Sequence, residues 1–456
     1  MKKIIWALMG AVMVLTGCIE DGFDTSASAQ PQFSVEELDM GIQFAENPSP
    51  TAKLTIHNPN SKQINLSSVR MQQGDYFRIN VDGMTGRQFR DVEIRPNDSI
   101  YVFVECTVPV TPSKEPVVME DGLEVITNGV TKVLPVKATA QNVTRHKAEE
   151  ISGRVSWSAD VPHLITDTLR VLPGSTLTLE AGARLLFHDK SALVVEGTLL
   201  AQGTAEAPVT MNGDRTGNVV ADISYDVMSN QWEGVIFRST SKDNKLEYTD
   251  IANTCNGVAL DSLVDLTLTN CRITNSGGIL LEARGANRVT ALGTELSNAR
   301  SALTMVGSGE YLFDRCTLAN WYLFKWPDMS IIEFSDPDRT KAEWNNCVIY
   351  GRDSAIGAYI AQDKIVTDYD IWFRRCIFQV EGYDDERYLN NIWQTDPLLD
   401  YSLTEYTFPY TPLPDSPALN AAMAEYDSPL LPATDRRGLT RTQTIGAYEP
   451  LPATED

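Results

Sequence analysis

The sequence lacks the features that mark a nucleic-acid-binding protein, a zinc protein or an enzyme with a recognisable catalytic motif. Its net charge of −23 would repel phosphate groups, so nucleic acid is not expected as a partner. The seven cysteines contain no Cys-x-x-Cys pair, which argues against a zinc site. The four histidines are scattered, and no motif names a nucleophile or a base. We therefore assign no catalytic residue, no metal ligand and no cofactor.

The first eighteen residues are organised like the signal peptide of a lipoprotein. Lys2 and Lys3 precede an apolar stretch, Ile4 to Leu15, that is short for a membrane span, and no second long apolar stretch follows. The run Leu15-Thr16-Gly17-Cys18 resembles the lipobox of bacterial lipoproteins, where the peptide is cut before the cysteine and the thiol receives a diacylglycerol. The resemblance implies a signal peptide over residues 1–17, lipidation of Cys18, and a membrane as partner through the lipid anchor.

The residues after Cys18 bear on localisation. Ile19 stands where some lipoproteins retained at the inner membrane have Asp, and Glu20-Asp21 resembles the acidic export signal of some Gram-negative surface lipoproteins. These resemblances imply an outer-membrane lipoprotein that faces the cell surface. Residues 18–32 are small, polar and acidic, and we expect them to form a flexible tether.

Residues 33–141 alternate in polarity over short segments separated by turns. Ala52 to Ile56 and Ile100 to Val104 are examples, and no helical period is present. Strands at this spacing predict a β-sandwich. The run LTIHNPNSKQINLSSV followed by YFRINV resembles immunoglobulin-like domains of the abnormal-spindle/hydin kind, which often act as spacers or docking modules. Residues 142–150 are polar and are expected to form a joint.

A three-residue unit recurs in the second half of the chain. Successive copies begin 22, 23, 22, 31 and 29 residues apart, so the last two turns carry inserted loops. The first and third residues are small or apolar in every copy, which predicts two inward positions and one outward position per coil. The copies are Thr249-Asp250-Ile251, Cys271-Arg272-Ile273, Thr294-Glu295-Leu296, Cys316-Thr317-Leu318, Cys347-Val348-Ile349 and Cys376-Ile377-Phe378.

Two resemblances complete the predicted fold. The run LRVLPGSTLTLEAGARLLFHDKSALVVEGTLLAQGTAEAPVTMNG resembles the first coils of bacterial right-handed parallel β-helices, which implies such a fold over 151–400. The C-terminal segments Ser416-Pro417-Ala418, Asp435 to Arg441 and Ile445 to Glu449 resemble the choice-of-anchor Q module of surface β-helix proteins, although Asn420 replaces its usual Asp. We expect residues 401–456 to cap the last coil, in an all-β chain throughout.

Four stacked cysteines and an aromatic segment are the most conspicuous side-chain clusters. Cysteines at the first position of the unit (271, 316, 347 and 376) are interpreted as small hydrophobic core residues, because Thr fills the same position elsewhere. Trp321, Tyr322 and Trp326 suit the C–H faces of sugar rings, or they fold onto the rod to cover apolar surface. The acidic loop Tyr383 to Tyr388 is either solvated or a calcium site.

The outward positions of the repeat do not form a catalytic pair. They hold Asp250, Arg272, Glu295, Thr317, Val348 and Ile377, with no two acidic residues in neighbouring coils. The preferred interpretation is a lipid-anchored envelope protein whose β-helix presents a face to glycan or protein without catalysis. A polysaccharide lyase or glycoside hydrolase is the first alternative, and a purely structural envelope protein is the second.

Overall fold

The computed structural model describes residues 22–220, 223–352 and 369–452. About 48% of the chain is strand and 2% is helical, which confirms the predicted all-β class. The chain divides into two compact units, 1–142 and 143–456. The predicted signal peptide and Cys18 lie outside the described residues. Within the described ranges, no helix is long and apolar enough to cross a membrane.

The first unit contains two sheets with a shared core. Every strand pair is antiparallel except β2 with β11. The five-stranded sheet has the order β1 (Gln32–Phe33), β3 (Ala52–His57), β9 (Ser99–Cys106), β5 (Phe77–Val81) and β6 (Met84–Gly86). The six-stranded sheet has the order β2 (Leu38–Phe44), β11 (Val130–Gln141), β10 (Val117–Thr127), β4 (Ile64–Met71) and β7 (Gln88–Phe89), and β8 (Val92–Ile94) also pairs with β4.

Alternation along the strands places one face of each sheet in this core. Leu54 and Ile56 of β3 are buried together with Ile64 and Leu66 of β4, and polar residues between them point outward. The structure differs from the predicted flexible tether over residues 23–32. The side-chain amide of Asn128 donates hydrogen bonds to the carbonyl oxygens of Asp24, Ser26 and Ala29, at 2.9, 2.8 and 3.2 Å, and these bonds hold the segment against the unit.

The second unit consists mainly of three long parallel sheets, and the chain visits sheets I, II and III in turn. Sheet I contains β12 (Thr144–Lys147), β15 (His163–Thr166), β18 (Arg184–Phe187), β21 (Val209–Gly213), β26 (Thr249–Ala252), β29 (Arg272–Ser276), β32 (Glu295–Ala299), β35 (Thr317–Asn320), β38 (Val348–Gly351) and β40 (Ile377–Phe378). Sheet II contains β13 (Glu150–Ile151), β16 (Thr168–Val171), β19 (Ala192–Val195), β24 (Gly234–Phe237), β27 (Val258–Leu260), β30 (Leu281–Ala283), β33 (Thr304–Val306) and β36 (Ile332–Phe334).

Sheet III contains β14 (Arg154–Trp157), β17 (Thr176–Leu179), β20 (Thr198–Gln202), β25 (Asn244–Glu247), β28 (Asp265–Thr269), β31 (Asn287–Leu292), β34 (Gly309–Asp314), β37 (Thr340–Asn345), β39 (Asp370–Arg374) and β41 (Tyr388–Leu389). A short pair, β22 (Asn218–Val220) with β23 (Ile223–Ser224), and 3₁₀ turns at Tyr225–Val227, Pro337–Arg339 and Ala424–Tyr426 complete the described elements. The winding is consistent with a β-helix. It begins at Thr144, so residues expected to form a joint already contribute β12 and β13.

The three-residue unit lies in sheet I, as its spacing predicts. The outward residues stack in register from Asp250 through Arg272 and Glu295 to Thr317, Val348 and Ile377. The cysteines of the unit are buried in the common core. The Cys316, Cys347 and Cys376 thiols donate to carbonyl oxygens of the sheet III strand one coil earlier, at 3.4, 3.3 and 3.2 Å. None of the six described cysteines forms a disulfide.

The C-terminal segment does not lie where the predicted cap would put it. Residues 396–449, called the strap below, run along the outward face of sheet I, with contacts from Asp250 on β26 to Ile377 on β40. The outward row of sheet I is polar at first and apolar later, and the strap matches this order. Arg436 and Tyr448 meet the polar part, while Ile445 and Ala447 pack against the apolar part.

Candidate functional site

The three aromatic residues singled out from the sequence have different environments. The Trp321 ring stacks on Tyr401 of the strap with ring centroids 4.7 Å apart. Tyr322 is only 5% exposed, and its hydroxyl lies 2.6 Å from the Ser229 Oγ. Both residues therefore pack within the unit, which agrees with the interpretation that the segment covers apolar surface.

Trp326 differs from its neighbours because 57% of its surface is exposed. The guanidinium carbon of Arg352 lies 4.9 Å from its ring centroid, a cation–π contact that occupies part of the ring. Of the three predicted ligand contacts, Trp326 alone presents an exposed ring.

The outward face of sheet I is closed by a buried network of charges. The Glu295 side chain is 1% exposed, lies 3.2 Å from Arg272 and accepts a hydrogen bond from the Tyr448 hydroxyl. Arg436 pairs with Asp250. Burial raises the pKa of the Asp250 carboxyl, and the charges of Arg436 and Arg272 lower it less strongly. Since the strap satisfies these groups, this face is not free to take a ligand.

Sheet II presents a mixed outward row. Its members are Val194, Ile236, Ala259, Glu282, Met305 and Glu333, which lie in register along the sheet. The row contains no aromatic ring, and Met305 and Glu333 are buried. A sugar ring would therefore find no aromatic contact along this row.

Sheet III carries two regular outward rows. The first is a ladder of alternating charge in five successive strands, and the second lies two residues further along each strand. The residues between the rows, such as Tyr311 and Ile371, are buried in the core. The first row is Asp265, Arg288, Glu310, Lys341 and Asp370, and the second is Thr267, Thr290, Leu312, Glu343 and Trp372.

A groove of about 350 Å³ lies on this face, and Trp372 stands at one end of it. The indole Nε1 donates a 2.8 Å hydrogen bond to the Asp370 carboxylate. The guanidinium carbons of Arg374 and Arg387 lie 4.6 and 4.2 Å from the ring centroid. Arg374 also donates a 2.6 Å hydrogen bond to Glu343. We call this feature the Trp372 groove.

The Trp372 groove combines a half-buried aromatic ring with charged hydrogen-bonding groups at fixed positions. The ring is held by cations and by its own hydrogen bond, so binding would cost little side-chain ordering. Glu310 and Lys341 extend the polar lining towards Arg288 along the first row. Such a surface can contact the apolar face of a ring-shaped ligand and hydrogen-bond to its hydroxyl groups.

Sequence reasoning missed this site although a signal was present. Each residue of the charged ladder stands six positions before the first residue of its three-residue unit, as Asp370 does before Cys376. The coil period that predicts the strands of sheet I therefore predicts the strands of sheet III as well. The outward row predicted from the three-residue unit is the one on sheet I, which the strap covers.

The acidic loop at 383–388 uses its carboxylates within the chain. Asp384 accepts hydrogen bonds from the Trp393 indole and from the backbone N–H of Asn391, each at 3.1 Å. Asp385 accepts the backbone N–H groups of Arg387 and Tyr388. In the described part of the chain, no group of three or more His, Cys, Asp or Glu side chains is placed to hold a metal ion.

No protein-family model matches the chain, and no curated protein matches it. Among solved structures, a family 123 glycoside hydrolase from Clostridium perfringens, described as hydrolysing glycolipid glycan, matches with a TM-score of 0.18 and 10% identity over 25% of this chain and 26% of its own. A protein of unknown function from Porphyromonas gingivalis matches with a TM-score of 0.19 and 12% identity over 27% of this chain and 60% of its own. Similarities of this size assign neither a fold nor a function.

Proposed function

We propose that this protein is a lipid-anchored envelope protein that binds glycan through the Trp372 groove without cleaving it. The observation that carries the proposal is the half-buried Trp372 ring on the outward face of sheet III, where two arginines contact it and Asp370 accepts its N–H. Tryptophan pairs an apolar ring with a polar edge, which suits a sugar ring better than a flat apolar patch would.

The remaining parts of the proposal concern the architecture that presents the groove. We propose that the three parallel sheets form a right-handed β-helix and that the 22–142 unit is an immunoglobulin-like spacer. The strap would then be a choice-of-anchor-like module that closes the side of the helix. Cys18 would carry the lipid, with the protein in the outer membrane facing the cell surface. The coil repeat and the lipobox-like run support these assignments.

A glycoside hydrolase is the second candidate, and one observation favours it. Glu343 and Asp370 lie beside Trp372 on neighbouring strands, which are about 4.8 Å apart, and paired carboxylates are the usual catalytic groups of such enzymes. Binding is preferred because Arg374 already pairs with Glu343, and Arg387 with Asp370 at 3.3 Å. These carboxylates serve the packing of Trp372.

Replacing Trp372 by Ala is expected to weaken glycan binding about thirtyfold, because a central tryptophan typically contributes roughly 2 kcal/mol to a contact. The measurement is a binding isotherm for the full chain in detergent against neutral and acidic polysaccharides. New chain ends are counted in the same samples. Trp326→Ala is the matched control, since Trp326 is exposed and also lies against an arginine.

The outcomes separate the candidate sites and functions. Loss of binding in Trp372→Ala alone supports the groove. Loss in Trp326→Ala alone moves the site to the aromatic segment, and new chain ends from the wild-type protein replace binding by hydrolysis. Binding that survives both changes removes both tryptophans from the proposal.

Replacing Cys18 by Ser is expected to move the protein from the membrane to the soluble fraction. The acyl chains supply the anchor, and each buried CH₂ contributes about 0.8 kcal/mol. Membrane fractionation measures the effect, and Cys255→Ser is the control, because Cys255 is the one described cysteine that is not fully buried. A Cys18→Ser protein that stays with the membrane would remove the lipid anchor from the proposal.

A further inference from the structure

A second concave surface lies in the 22–142 unit, at an edge where the chain crosses twice between its two sheets. Residues 72–76 connect β4 to β5, and the single residue Arg87 connects β6 to β7. Together with the adjoining strands, these crossings enclose a cleft of about 750 Å³. The volume is within the range of small-molecule sites. We call this feature the edge cleft.

One wall of the edge cleft is held in place before any ligand arrives. The Asp121 carboxylate accepts the backbone N–H groups of Gln73 and Gly74, at 3.0 and 2.9 Å. Gly74 has a φ of 72°, a left-handed conformation that a residue with a Cβ adopts at a cost. A wall fixed in this way loses little conformational freedom when a ligand binds.

Three arginines line the edge cleft in a protein whose net charge is −23. Arg70 is paired with Glu124 at 2.8 Å. Arg78 lies across the strand ladder from Glu105 and reaches the Thr107 hydroxyl only weakly, at 3.4 Å. Arg87 has no hydrogen-bond or ion-pair partner among the residues that the structure describes. The cleft thus has spare cationic hydrogen-bond donors.

The floor of the edge cleft adds a polar and an apolar group. Asn80 follows Arg78 by two positions on β5, so both side chains point to the same face. The Asn80 Oδ1 is buried and has no hydrogen-bond partner in the described part of the chain. Buried acceptors of this kind are costly unless a ligand or water donates to them. Phe103, half-buried, faces Asn80 from β9.

We propose that the edge cleft binds a carboxylate-bearing sugar residue of an acidic glycan. Guanidinium groups of Arg78 and Arg87 bind the carboxylate, for which planar donors are well suited. Asn80 accepts a hydrogen bond from a sugar hydroxyl, and the Phe103 ring contacts the C–H face. The site does not use Trp372, so this proposal can be tested independently of the function proposed above.

The test measures the affinity of the full chain in detergent for tetragalacturonate and for its methyl ester, which lacks the negative charge. The wild-type protein is expected to bind the free acid and to lose affinity as salt is added. The double variant Arg78→Gln/Arg87→Gln should bind about tenfold more weakly or worse, since two charge-assisted hydrogen bonds are removed. Arg95→Gln, an exposed arginine outside the cleft, is the matched control.

The results decide the proposal in either direction. Binding of the acid that the double variant loses, and that Arg95→Gln and Trp372→Ala retain, establishes the edge cleft as the site. Equal binding of the acid and the ester, or full affinity in the double variant, overturns it. Failure of the wild-type protein to bind at millimolar concentration overturns it as well. Loss only in Trp372→Ala would assign the acidic sugar to the Trp372 groove instead.

Discussion

The Asp314→Asn variant is expected to be more stable than the wild-type protein at about pH 8, by up to roughly 4 kcal/mol. Asp314 is a fully buried residue at the end of β34, where its Oδ2 accepts the backbone N–H of Ser428 in the strap at 2.5 Å. Its Oδ1 has no hydrogen-bond partner within the described ranges. Asparagine has the same shape and no charge, so it should keep the contact with Ser428.

The sign of this effect follows from the pKa of Asp314. This pKa is raised from 3.8 to about 7, and burial is the largest cause. The bond from Ser428 and the charges of Arg315 and Arg441 lower it, while the neighbouring Asp427 raises it. A carboxyl group with a raised pKa in the folded state stabilises the fold fully below its unfolded pKa. That stability is lost as the pH rises through about 7. By itself, Asp314 therefore lowers the free energy of unfolding as the pH rises from about 4 to about 7, and Asp314→Asn should remove this contribution.

Chemical unfolding followed by tryptophan fluorescence measures this effect in the second unit. Seven of the eight tryptophans lie in residues 143–456, and the eighth is Trp6. Asp261→Asn, which changes a carboxylate that is 43% exposed, is the control. If Asp314→Asn and Asp261→Asn show the same dependence of unfolding free energy on pH, then Asp314 is not the titrating group.

The His163→Gln variant is expected to lose a pH dependence of stability whose sign is opposite to the one from Asp314. His163 is 7% exposed, its Nδ1 lies 2.9 Å from the Nε2 of His146, and its ring stacks on Trp157 at 4.3 Å. Its pKa is lowered from 6.5 to about 4; burial is the largest cause, the charge of His146 also lowers it, and Glu149 acts in the opposite direction. Between about pH 4 and pH 6.5, the unfolded state therefore binds a proton at His163 that the folded state does not bind.

Stability from His163 is present above its unfolded pKa and is lost as the pH falls from 6.5 through about 4. The loss amounts to roughly 3 kcal/mol. Glutamine keeps a polar amide but does not titrate, so His163→Gln should remove this pH-dependent loss. The variant should also be less stable by a constant amount at every pH, because the ring stack on Trp157 is missing. His188→Gln, at a histidine side chain that is 59% exposed, is the control. Equal acid sensitivity in the two variants would contradict the assignment to His163.

The two groups oppose each other between about pH 4 and pH 6.5, which makes their combination informative. Falling pH strengthens the fold through Asp314 and weakens it through His163. The wild-type profile in this range should be nearly flat. In Asp314→Asn, the free energy of unfolding should fall as the pH falls. In His163→Gln it should rise as the pH falls, and in the double variant it should again change little with pH.

Much of the fold was predictable because the coil repeats a local environment. Each copy of the three-residue unit meets the same core on one side, so Thr249, Cys271 and Cys316 follow one rule of size and polarity. The candidate site was predictable only in part. Trp321 and Tyr322 are neighbours in the sequence, but their partners Tyr401 and Ser229 lie 80 and 93 residues away. A sequence pattern contains no information on such pairings.

By itself, the sequence determined the all-β class, the period of the coils and the inward and outward positions of sheet I, because these depend on alternation along single strands. Only the tertiary structure decided which outward face the strap covers. The strap reaches sheet I through contacts such as Tyr448 to Glu295, which are 153 residues apart. It closes that face, whereas Trp372 on sheet III is only half-buried among the residues that the structure describes. The reason is physical: alternation is a property of neighbouring residues, whereas coverage depends on where distant segments pack.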